Sequence, residues 1–124
     1  MGFENILSKI SKTSISGIST AATAIGTTEN GSQKFHPMFA VFVVRTANTI
    51  TLAPTVSIGT NASTYNNILP AAVLTGLTAA ALTLILPITV ASSNVSSNTQ
   101  VFINVTAGTA VAMTFDVHLF GFYQ

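Results

Sequence analysis

The sequence has no cysteine and no tryptophan, and among its 124 residues it carries only four basic and three acidic side chains. Without cysteine there are no disulfides, no thiolate metal sites and no cysteine nucleophile. About a quarter of an ordinary soluble domain is charged, whereas here the fraction is 6%. With a net charge of +1, the chain lacks the cluster of cations that phosphate binding requires, so no nucleic-acid partner is expected. No G-x-x-x-x-G-K, G-x-G-x-x-G or G-x-S-x-G motif occurs, which removes the common nucleotide cradles and the hydrolase nucleophile elbow. Disorder is excluded from the other side: 48% of the residues are apolar and the mean hydropathy is +0.62, the opposite of the polar, highly charged composition that keeps chains unfolded.

The few charges are unevenly placed. Glu4, Lys9, Lys12, Glu29 and Lys34 lie at the start, and the remainder holds only Arg45 and Asp116. From Thr46 to Phe115 there is none. Neutral Ser, Thr, Asn and Gln are buried against a partner at much lower desolvation cost than a charge, and interface centres are depleted in charge. This distribution predicts a polar N-terminal arm, residues 1–34, and a neutral body, residues 35–124, with large contact surfaces.

The most apolar stretch, 71–86, lies between Pro70 and Pro87 and is interrupted by Gly76 and threonines. It is shorter than the roughly 20 residues that span a bilayer and has no flanking cation. Lys9 and Lys12 fall where a secretory signal would carry its apolar run. The expectation is therefore no membrane span and no signal. The Asn-x-Ser/Thr triplets at Asn30, Asn61, Asn94 and Asn104 are then chance occurrences in a chain rich in these residues.

Phe3, Ile6, Leu7 and Ile10 have helical spacing, with Glu4 early and Lys9 and Lys12 late, which predicts a short amphipathic helix over about 3–13. A small-residue linker follows. From Phe35 the period becomes two. Residues 39–44 are apolar on both faces, which marks a strand that is buried on both sides or sits in an interface. Further strands are expected around 49–52, around Val56 and Ile58, and from about Leu82 to Val90 after a turn or short helix. Val101, Ile103 and Val105, a turn at 107–109, and the alternation from Val111 to Leu119 read as a β-hairpin. The sum is an all-β chain, an antiparallel β-sandwich or jelly roll with an extended, partly helical N-terminal arm. Its edges have few charges to protect them, and a second subunit would cover them.

Little chemistry is available. Asp116 and His118 share a strand face, but the body holds no second carboxylate and its histidines, His36 and His118, are far apart in sequence. They read as part of a polar outer or interface face. No catalytic, metal-binding or cofactor-binding residue is assigned. Phe39, Phe42, Phe120, Phe122 and Tyr123 could form a stacking platform, yet at strand spacing they read as core. Candidate assembly contacts are Phe3, Ile6, Leu7 and Ile10 in the arm and Phe39, Phe42 and Val44 in the body.

The segment VSIGTNASTYNNIL, 56–69, and the ending VHLFGFY, 117–123, resemble the small decoration or cement proteins of tailed-bacteriophage capsids. That resemblance covers the body and implies a β-sandwich or jelly roll, commonly trimeric, that reinforces a virion by bridging copies of the major capsid protein. The alternative is a fibre- or spike-type module that reads a host glycan or protein through its Asn/Thr-rich loops.

Overall fold

Every second residue of the final strand turns inward. Phe115, Val117, Leu119 and Gly121 are buried, and Asp116, His118, Phe120 and Phe122 lie on the opposite face. In a computed structural model that describes residues 7–18, 21–46, 53–76, 80–90, 93–107 and 113–124, the described elements are strands: β1 (Ser8–Ser16), β2 (Thr23–Thr27), β3 (Phe35–Thr46), β4 (Thr55–Gly59), β5 (Leu69–Val73), β6 (Thr83–Pro87), β7 (Gln100–Ala107) and β8 (Thr114–Tyr123). They form two antiparallel four-stranded sheets, ordered β1-β8-β3-β6 and β2-β7-β4-β5. The pairs are nested: β1 with β8, β2 with β7, β3 with β6 and β4 with β5. No described helix is long and apolar enough to cross a membrane.

The core lies between the sheets. Ile10, Ile15, Ala40, Phe42, Val44, Phe115, Val117 and Leu119 face it from one side, with Ile25, Val56, Ile58, Val101, Ile103 and Val105 on the other. Phe42 and Phe115 meet at 6.1 Å with tilted rings, a favoured aromatic geometry. The all-β sandwich expected from the alternation is the observed architecture.

Three local expectations differ. The helix expected over about 3–13 falls partly on residues 1–6, outside the described residues; from Ser8 onward the chain is strand β1, not helix. The helical spacing of Phe3, Ile6, Leu7 and Ile10 rests mostly on residues before the strand, and further along a bulge lies between Lys12 and Ile15, with Ser14 at φ 56°. It adds one residue to the strand, so Ile10 and Ile15 both point inward although they are an odd number apart. An isolated helix of that length is marginal in water, whereas β1 gains a full ladder on β8. The stretch read as a polar arm thus supplies an outer strand to each sheet, β1 and β2.

The C-terminal hairpin is also replaced. β7 bonds to β2 and β4 while β8 bonds to β1 and β3, so consecutive strands belong to opposite sheets. Alternation tells which face of a strand is buried but carries no information on its neighbour. The strand expected near 49–52 lies outside the described residues. The one expected from Leu82 to Val90 is observed as Thr83–Pro87, and β5, which starts at Leu69 and includes Pro70, replaces part of the expected turn or helix.

Candidate functional site: a charge-poor outer sheet face

The outer face of the β1-β8-β3-β6 sheet is built in rows by the strand register. One row is Lys9, Phe120, Phe39 and Pro87; the next is Ser11, His118, Val41 and Ile85; a third holds Asp116, Val43 and Thr83. Phe39 stacks on Phe120 with centroids 5.1 Å apart and planes 20° apart, and His36 stacks on Phe122 at 5.1 Å and 13°. Directly cross-strand aromatic pairs of this kind stabilise a sheet without being in its core. Towards β6 the face carries Val41, Val43, Pro87 and Thr83 without charge and ends at Ile85, which is 60% exposed.

The charges at the top of this face neutralise each other. The Arg45 guanidinium grips Asp116 with two bonds, Nε to Oδ1 and Nη2 to Oδ2, both 3.0 Å. The Ser14 backbone N–H donates to the same carboxylate at 2.9 Å. This ties β1, β3 and β8 together and leaves 35–124 without a net charge. The hydrogen bond from Arg45 holds the Asp116 carboxyl below the usual carboxylate range, partial burial opposes this, and the Ser14 N–H and nearby positive charge add to the lowering.

A carboxyl whose folded pKa is depressed contributes stability that is complete above its unfolded value and disappears as pH falls through the folded value. Urea midpoints should therefore show a wild-type advantage over Asp116→Asn that is constant above ~pH 5 and shrinks below ~pH 4. An advantage that persists unchanged to pH 2 would show that the ionised carboxylate contributes nothing.

A hydrolytic reading has no support in this geometry. Ser11 and His118 are cross-strand partners, but among the described residues no hydrogen bond joins Ser11, His118 and Asp116, and His118 Nδ1 is buried without a partner. Both Asp116 oxygens are engaged by Arg45. Among the described residues no three His, Asp or Glu side chains cluster in a way that could hold a metal ion. A hollow of about 290 Å³ lined by Glu29, Asn30, Gly31, Ser32, Gln33 and Tyr123 offers a single carboxylate, and the Tyr123 hydroxyl accepts the Glu29 N–H at 3.0 Å.

The Asn-rich loop after β4 is turned on itself. Asn61 Oδ1 accepts the N–H groups of Asn66 and Asn67, and Asn61 Nδ2 donates to Thr64 Oγ1 and Asn66 Oδ1. An amide side chain has two donors and two acceptor positions, so Asn61 is saturated. Asn67 is committed to Thr60 through both ends of its amide. Gly59 completes the loop through close approach: a Cβ there would lie 2.5 Å from Asn67 Oδ1 and 2.6 Å from Asn61 Oδ1. These amides hold the loop's shape.

Of the candidate assembly contacts, Phe3 and Ile6 lie outside the described residues. Leu7 is exposed and Phe39 is on the outer face, but Ile10, Phe42 and Val44 are core residues and meet no partner without unfolding. Conversely, Phe120 and Phe122, read as core, lie with Phe39 on the outer face; Phe42 is core as expected. Parity held the signal: Phe120 and Phe122 are out of phase with Phe115, Val117 and Leu119. No family model, curated protein or solved structure matches the chain.

Proposed function

We propose that the protein is a structural subunit of a virion, a capsid decoration or cement protein that works as a homo-oligomer, a trimer, and bridges neighbouring copies of the major capsid protein. The observation that carries this reading is the charge-poor outer face of the β1-β8-β3-β6 sheet, whose aromatic and aliphatic rows carry one internally neutralised ion pair and, at the β1 edge, Lys9. Such a face loses little desolvation energy when covered, and the covering of apolar area supplies the attraction. The nested strand pairing is that of a jelly roll, an architecture used in viral capsid and lectin domains. Architecture by itself assigns no activity. The saturated amide of Asn61 and the commitment of Asn67 to Thr60 weigh against recognition of a host glycan through that loop, because these amides are already bonded within it.

The reading is tested by sedimenting the purified chain with purified particles of its source virus. Attachment should survive 1 M NaCl, where screening acts within about 3 Å, and a folded Phe39→Lys variant should bind at least about tenfold more weakly. Release of the wild type by salt, or undiminished attachment of Phe39→Lys, overturns it.

A further inference from the structure

The two sheets present four edges, and three of them are interrupted by a bulge or register shift. β1 carries Lys9 and Lys12 and a bulge. The pairing of β2 with β7 slips between Ala24 and Gly26. β5 contains Pro70 and its register with β4 slips between Val56 and Ile58. Charges, bulges and prolines are the usual devices that stop edge strands from recruiting partners. β6, Thr-Leu-Ile-Leu-Pro, has no charge and no register shift against β3.

The register identifies which backbone groups of β6 are free. Val44 N–H donates to Leu82 C=O and Ile88 N–H to Met38 C=O, so even-numbered β6 residues face β3, and the pairs Phe42–Leu84 and Ala40–Leu86 continue that ladder. In an antiparallel ladder alternate residues point their N–H and C=O the other way. The N–H and C=O of Thr83 and Ile85 and the C=O of Pro87 therefore point away from the sheet. No described strand lies on that side.

We propose that β6 pairs antiparallel with β6 of a second copy, about a two-fold axis at Ile85. In that register the two Ile85 residues exchange both of their backbone bonds, and each Thr83 N–H meets the C=O of the opposing Pro87. The residue that cannot donate, Pro87, falls at both ends of the paired segment, where one bond per end is lost and none is broken. The two exposed Ile85 side chains lie directly opposite on the outer face. The operation also keeps each outer face on the same side, so the two charge-poor faces join into one. Growth stops at two sheets, because the outermost strands are then both β1, with its lysines and bulge. This contact belongs to the chain alone and does not depend on attachment to a shell. A trimer using it would pair into a hexamer.

The test is the mass of the isolated full chain by size exclusion with light scattering, for wild type, Ile85→Lys and Ile85→Pro. The wild type should contain an even number of chains. Each variant should have half that mass: Ile85→Lys sets like charges opposite each other, weakening association at least about tenfold, and Ile85→Pro deletes an N–H that β3 does not use. An odd-numbered or single-chain wild type, or unchanged mass in folded variants, overturns the proposal. Should a variant misfold, amide exchange on the wild type decides: Thr83 and Ile85 must exchange more slowly as protein concentration rises, and concentration-independent exchange overturns it.

Discussion

Phe42→Ala is expected to destabilise the protein by about 3 to 5 kcal/mol, whereas Phe39→Ala, on the same strand, should cost about 1 to 2 kcal/mol. Phe42 is fully buried against Phe115 between the sheets, so truncation leaves a cavity that closely packed neighbours fill poorly. Phe39 is on the outer face and loses one stacked ring, Phe120. Against a total stability of about 5 to 15 kcal/mol, the first change removes much of the folding free energy. Attachment should show the reverse order, with folded Phe42→Ala protein binding normally and Phe39→Ala binding weakly. Urea denaturation and particle sedimentation on the same two variants provide the comparison. Equal losses of stability would contradict the assignment of faces on β3.

Gly121→Ala should be the most damaging single-methyl change, about 3 kcal/mol. A Cβ at Gly121 would collide with the backbone carbonyl of His36 and would lie 2.8 Å from both Phe35 Cζ and Pro37 Cα. Two of those three are backbone, fixed by the β3–β8 ladder beside a register shift between Pro37 and Phe39. The glycine is needed for room at this crossing of strands. Gly31→Ala is the matched control: nothing lies within 4 Å of its Cβ position, and its denaturation midpoint should stay within about 0.5 kcal/mol of wild type. A tolerated Gly121→Ala would mean that β3 and β8 approach less closely than described.

Much of this could be seen in the order of residues. The period-two pattern of 115–119 and of Val101, Ile103 and Val105 is a direct image of inward positions on β8 and β7, since side chains alternate strictly along a strand. Val56 and Ile58 mark β4 for the same reason. The outer aromatic face was half legible: the double-sided apolar run at 39–44 signalled a second contacted face, while Phe120 and Phe122 passed for core by residue type, although their parity against Phe115, Val117 and Leu119 places them on the other face.

The N-terminal stretch misled because a bulge breaks the simple period. Ser14 shifts the phase between Ile10 and Ile15, so no period-two pattern survives there to set against the helical spacing of Phe3, Ile6, Leu7 and Ile10. The Asn61 network was equally hidden. Its residues are visible as a turn-rich run, but whether their amides point outward or bond to each other depends on the path that brings Asn67 back to Thr60.

By itself the sequence determined that this is an all-β chain with an apolar core, almost no charge after Lys34 and none of the motifs examined for nucleotide binding or hydrolysis, because composition and alternation act residue by residue. Only the tertiary structure decided that β7 and β8 part into different sheets, that Arg45 and Asp116 neutralise each other, and that Phe39 and Phe120 stack across the outer face. Those outcomes depend on pairings between strands far apart in the chain, and no local pattern encodes the identity of a distant partner.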